Sequence, residues 1–133
     1  MLIFVYGTLM TGFGNNYIIS EANLIDNIAR TNTPEFDLID FGGFPALIRK
    51  CEDGFFVEGE LWNVSSSLIM ERLDNLEGHP NFYRRQSITI YSYLEGSGEL
   101  ITEVLAYIID NPSEYNLPVV SNHNNRIKRW KHG

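Results

Sequence analysis

Residues 55–78 read FFVEGELWNVSSSLIMERLDNLEG, and two periodicities meet inside that stretch. From Phe55 to Trp62 the side chains alternate. Phe55, Val57, Gly59 and Leu61 fall on one face, and Phe56, Glu58, Glu60 and Trp62 on the other, which is the period of a β-strand. After three serines the period lengthens. Ile69, Leu73 and Leu76 stand at i, i+4 and i+7 with Met70 alongside, giving one apolar stripe and predicting a helix over 66–77. Ser65 or Ser66 caps its start, and Gly78 and Pro80 end it.

The flanks add strands. Leu2 to Tyr6 is apolar, β-favouring and stops at Gly7. Thr11 to Asn16 is a polar loop, and Tyr17 to Ser20 begins a brief helix. Ala22 to Arg30 and Glu35 to Phe41 read as strands with weak alternation. Gly42-Gly43-Phe44-Pro45 is a turn, Ala46 to Lys50 resumes a strand, and Asp53-Gly54 is a hairpin signal. Tyr83 to Leu94 and Leu100 to Ile109 are long strands separated by the turn Glu95-Gly96-Ser97-Gly98. Beyond Pro112 the period is lost and an extended tail is expected. About seven strands and one clear helix place the chain in the α+β class, with a mainly antiparallel sheet able to close on itself.

The 133 residues suit one domain: 44% are apolar and 13% aromatic, enough for a core, and 20% are charged, too few for a disordered chain. The net charge is −7, and the last eight residues contain Arg126, Lys128, Arg129 and Lys131 without an acid. Without those four positives, residues 1–125 carry −11, a field that repels phosphate backbones and argues against nucleic acid as a partner. The basic tail Arg126–Gly133 is read as a solvated terminus, with contact to an acidic surface as the alternative. A single cysteine, Cys51, permits no intrachain disulfide and no cysteine metal site, which fits a reducing compartment. Leu2-Ile3-Phe4-Val5 lacks a basic leader and is too short to span a membrane, so no membrane partner and a cytoplasmic location are expected. His79, His123 and His132 have no metal-ligand spacing, and no metal is assigned.

Glu77 is the first candidate for chemistry. It sits at the C-terminal end of its helix, where unpaired carbonyls disfavour a carboxylate and raise its pKa toward the range of a general base. The plain alternative is a solvated glutamate before a glycine stop. Tyr6-Gly7-Thr8-Leu9 is the second: a strand ending in glycine frees backbone N–H groups to converge on an anion or oxyanion, or simply makes a tight turn. Tyr83 and Arg85 share a strand face, Arg85 being able to take a substrate carboxylate or to pair with a local acid. Tyr107 either lines a pocket or packs with one hydrogen bond. Trp62 is read as sheet packing and Trp130 as a tail residue able to dock on a groove.

Taken in order, Phe4-Val5-Tyr6-Gly7-Thr8-Leu9-Met10, Gly43-Phe44-Pro45-Ala46, Val57-Glu58-Gly59-Glu60-Leu61-Trp62, Leu73-Asp74-Asn75-Leu76-Glu77-Gly78 and Tyr83-Arg84-Arg85 resemble the γ-glutamylcyclotransferase-like family. The likeness is to its small members, related to γ-glutamylamine cyclotransferase and the AIG2-like proteins, and covers roughly residues 2–109. It implies a small β-barrel of six or seven strands flanked by one or two helices, spanning 1–112, with 113–133 a C-terminal extension of unplaced role. It also implies a substrate pocket bounded by Tyr6, Gly7, Thr8, Leu9, Gly43, Phe44, Pro45, Tyr83, Arg85 and Tyr107, with Glu77 as the catalytic acid/base. The implied reaction closes the glutamyl group of a small γ-glutamyl amide into 5-oxoproline and releases an amine, without a cofactor. The leaving amine stays open among dipeptides, ε-lysine crosslinks and acylated metabolites. A small-ligand-binding module that keeps the pocket without turnover is the alternative.

Overall fold

The computed structural model describes residues 1–93 and 98–131; Leu94, Glu95, Gly96 and Ser97 of the expected strand end and turn, with His132 and Gly133, lie outside the described residues. Nine strands and one α-helix are formed among the described residues. In chain order they are β1 (Leu2–Val5), β2 (Asn23–Thr31), β3 (Phe36–Asp40), β4 (Pro45–Arg49), β5 (Phe56–Asn63), α1 (Ser67–Glu77), β6 (Arg84–Ser92), β7 (Glu99–Ile108), β8 (His123–Asn124) and β9 (Ile127–Lys128).

Five of these strands close a ring. β1 pairs antiparallel with β5, β5 with β2, β2 with β6 and β6 with β7, and β7 returns to β1 through a parallel pairing at Ile3 and Leu105. Closure satisfies strand edges that an open sheet would leave bare. The β3–β4 hairpin attaches to β7 where Leu47 meets Ile108.

The alternation of residues 55–62 sorts two cores. Val57 and Leu61 point into the barrel with Phe4, Ile90, Val104 and Ile108. Trp62 points outward into a second layer with Ile3, Val5, Ile69, Met70 and Leu73, where α1 packs on the barrel wall. β1 is therefore buried on both faces, which is why it reads as a continuous apolar run. Gly59 lets β1 and β5 approach: a Cβ there would collide with the Val5 carbonyl oxygen and lie 3.0 Å from the Phe4 ring.

Helix α1 starts at Ser66, whose hydroxyl accepts from the Ile69 amide at 3.3 Å. It ends at Gly78, with φ 64° and ψ 34°, a left-handed cap that glycine adopts without strain. Ile69, Met70 and Leu73 form its buried face, but Leu76 is 41% exposed and does not continue the stripe.

Three expectations are corrected. Asp53-Gly54 makes a turn, with Asp53 at φ 55°, but its flanking strands do not pair with each other. Phe55 instead bridges to Phe36 and Lys50 donates to the Glu35 carbonyl, so the turn passes the chain from one side of β3 to the other. The brief helix at Tyr17–Ser20 is a single 3₁₀ turn, Asn16–Ile18.

The stretch after Pro112 also holds more structure than an extended tail. β8 and β9 pair, and β9 lies parallel to β5 at Phe56 and Val57. Lys128 is buried with its ammonium 2.6 Å from Asp37 Oδ1 and 3.9 Å from the Phe55 ring centroid. Arg129 meets Glu58 at 2.8 Å, and Trp130 is 1% exposed in the outer core. A charge-rich tail gives no hydrophobic period, yet its cations fit acids that the barrel supplies. Among the described residues no helix is long and apolar enough to cross a membrane.

Candidate active site

A cavity of about 260 Å³ opens where the end of β1, the β3–β4 turn and the end of α1 converge. The loop after β1 forms one wall. Met10 N–H donates to the Gly7 carbonyl at 3.0 Å, closing a tight turn with Thr8 and Leu9 at its centre. That bond uses neither central amide. Among the described residues the Thr8 and Leu9 amides donate to no protein acceptor.

The loop is fixed from behind. Asn15 Nδ2 donates to Thr8 Oγ1 at 2.8 Å, and Asn16 Nδ2 donates to the Leu9 carbonyl at 2.9 Å. Buried Glu60 accepts from the Thr11 amide at 2.8 Å and from Trp62 Nε1 at 3.2 Å. Gly7 is required by proximity, since a Cβ there would lie 2.8 Å and 2.9 Å from the Pro45 ring.

Glu77 lines the same cavity from the last turn of α1. Its carboxylate accepts no hydrogen bond and makes no ion pair among the described residues. Burial pushes its pKa from an ordinary 4.5 up to about 7. The direction is the one expected at the helix end, with burial as its cause.

Three tyrosines surround this carboxylate, and burial, with the nearby negative charge, pushes each hydroxyl well above its ordinary range. Tyr6 Oη donates to the Tyr107 carbonyl at 2.7 Å and accepts from the Leu47 amide at 3.1 Å. Tyr83 Oη donates to the Pro45 carbonyl at 2.6 Å, and Tyr107 Oη donates to Asp74 Oδ1 at 2.7 Å. They are neutral struts that hold the cavity open.

Of the residues read from sequence, Tyr6, Gly7, Thr8, Leu9, Gly43, Phe44, Pro45, Glu77, Tyr83 and Tyr107 are brought together around the cavity. Arg85 is not among the lining residues. It takes the second of its two readings, pairing with Asp74 at 2.9 Å and away from the pocket. Phe4, Val5, Asn15, Leu76 and Phe82 also line the cavity, outside the set expected from sequence. Helical spacing puts Leu76 in the core stripe, although its place beside Glu77 is a usable clue to the cavity. Phe82 adjoins Tyr83, and Asn15 sits in a polar loop whose composition carries no signal. Among the described residues, no group of three His, Cys, Asp or Glu side chains is assembled as metal donors.

The family described as gamma-glutamyl cyclotransferase, AIG2-like matches residues 3–131. A Vibrio cholerae protein named as a candidate gamma-glutamylcyclotransferase is 34% identical over 87 residues, covering 65% of this chain and 70% of its own. A similarly named protein of Methanocaldococcus jannaschii is 31% identical over 88 residues, covering 66% and 70%. Among solved structures, an AIG2-like protein of Mus musculus superposes with a TM-score of 0.72 at 24% identity, covering 92% of this chain and 87% of that one. A uropathogenic E. coli-specific protein gives 0.66 at 23% identity, covering 90% and 86%. At these identities the two structures speak for the fold, and the sequence match carries the kinship: the chain belongs to the AIG2-like γ-glutamyl cyclotransferase family.

Proposed function

We propose that this protein cyclises a γ-glutamyl amide to 5-oxoproline and releases the free amine, with Glu77 as general base and then general acid. The observation that supports the reading is one cavity shared by a half-buried carboxylate and two backbone amides, none of which has a partner among the described residues.

The substrate's α-amine attacks its own γ-carbonyl carbon. A ring C–N bond forms, the amide C–N bond breaks, and one proton moves from the attacking nitrogen to the leaving one. Both reacting groups belong to one molecule, so orientation is largely built in. Proton handling is left to the enzyme: an α-ammonium with a pKa near ~8 must lose its proton before it can attack. Once that first proton has passed to solvent, Glu77, poised at about 7, takes the proton that the attacking nitrogen sheds as the ring bond forms and returns it to the departing amine. The Thr8 and Leu9 amides supply donors for a carboxylate or an oxyanion. Family membership agrees with this substrate class.

A binding module without turnover has no need of an unpaired carboxylate held in a desolvated site, since that burial is unfavourable by itself. The deciding experiment incubates purified protein with a panel of γ-glutamyl amides and follows 5-oxoproline. Release by the wild type, with a loss of about 10²–10⁴-fold in Glu77→Gln, supports the reading. Unchanged release by Glu77→Gln, or tight binding with no product from any compound, overturns it.

A further inference from the structure

The outer wall of the cavity is aromatic. Phe44, on the β3–β4 turn and 38% exposed, and Phe82, between α1 and β6, line it, with Leu76 as their apolar neighbour. Phe41 stacks on Phe44 at 5.0 Å with an interplanar angle of 6°, and meets Phe82 edge-on at 5.4 Å and 67°. Phe44 and Phe82 also stand edge-to-face at 6.4 Å and 70°. Tyr115, from the stretch after Pro112, braces the group from behind, 5.3 Å from Phe41 and 5.7 Å from Phe82.

Charge points the same way. Among the described residues no lysine, arginine or histidine lines the cavity, and its single carboxylate is Glu77. The nearest strand's arginines are engaged elsewhere, Arg84 with Asp110 at 2.7 Å and Arg85 with Asp74 at 2.9 Å. A leaving amine that carries a carboxylate, as an α-amino acid does, would lose water there without a counter-charge and beside a carboxylate. An uncharged ring would meet ring edges and faces already set in a herringbone arrangement.

We propose that the Phe44–Phe82 wall selects γ-glutamyl amides whose leaving amine carries an uncharged arylalkyl group. This rests on the cyclotransferase reading and deepens it by naming what leaves. The less exposed end of the cavity, at Thr8, Leu9 and Glu77, takes the glutamyl group, and the more exposed aromatic end takes the amine's ring.

The test compares kcat/KM for γ-glutamyl-phenethylamide, γ-glutamyl-ethylamide, γ-glutamyl-alanine and γ-glutamyl-ε-lysine on the full chain, read as 5-oxoproline. The phenethylamide is expected to lead each of the others by about tenfold or more. Phe44→Ala and Phe82→Ala should each lower the phenethyl-to-ethyl ratio by about fivefold or more. A ratio measured on one sample does not depend on how much of that sample is folded. Equal rates, a lead for the alanine or lysine compound, or an unmoved ratio in both variants would overturn the inference. Calorimetric binding to Glu77→Gln separates the two levels. Phenethyl-selective binding with no release by the wild type would fault the reaction and uphold the wall, whereas release without selectivity would fault the wall and uphold the reaction.

Discussion

Asp74 and Arg85 meet at 2.9 Å across the gap between α1 and β6, three residues before Glu77 ends the helix. Asp74 also accepts from the Tyr107 hydroxyl on β7, so one carboxylate ties the helix end to two barrel strands. This fixes where the last turn of α1 sits, and with it the side chain that lines the cavity.

Breaking that tie should hurt geometry more than fold. Asp74→Asn and Arg85→Ala are each expected to cost about 1 kcal/mol of stability, because both side chains are roughly a quarter exposed. The double variant should lose little more than either single, which a denaturation double-mutant cycle would read. Additive losses would mean that the pair is not coupled.

Glu77 gives a prediction with two signs. A carboxyl whose folded pKa is raised favours the protonated fold, so its burial costs nothing below the ordinary value of 4.5. The cost grows as pH rises and is complete above about 7. Glu77→Gln should therefore be more stable than wild type at pH 8, by at most about 3 kcal/mol, with the gap closing toward pH 4. Activity runs the other way, because kcat/KM should rise with pH through about 7 as the base ionises. Thermal melts and a pH–rate profile check both; a melting gap that does not vary with pH would contradict the burial account.

Gly7→Ala places a methyl 2.8 Å from the Pro45 ring. The turn must retreat, carrying the Thr8 and Leu9 amides and disturbing the Pro45 carbonyl that receives Tyr83. A loss of about 1–3 kcal/mol is expected in a urea titration. A larger fall is expected in activity, since a displaced loop no longer presents the Thr8 and Leu9 amides where the proposed reaction uses them.

Lys128→Met removes the ammonium from a buried pair and leaves Asp37 with Lys50 at 3.7 Å. An uncompensated buried charge costs about 3–5 kcal/mol, and the partly exposed Lys50 should keep the loss at or below the low end of that range. Adding Asp37→Asn should restore part of that loss, and midpoints of chemical unfolding would show it. If Lys128→Met alone leaves the midpoint where it was, the tail is not anchored by this pair.

Residues 55–78 determine much of the fold by themselves. Side-chain period and cap chemistry are local properties, so the strand to Trp62, the serine start and the glycine stop of α1 could be read without coordinates. The tyrosine–glycine loop and Glu77 stand out as candidates for the same reason: each is the end of a regular element, where backbone groups or side chains lose their local partners. Only the family resemblance chose the site over a plain turn and a solvated glutamate. Tertiary structure decided what those groups meet. Ring closure through Ile3 and Leu105 joins residues a hundred positions apart, and no local pattern encodes it. Arg85 went to Asp74 rather than to the cavity, and Leu76 left the core for the cavity wall. Lys128 became buried because Asp37 waits for it across the fold. The fate of a charge depends on the dielectric and the counter-charge around it, and both are set only when distant segments pack together.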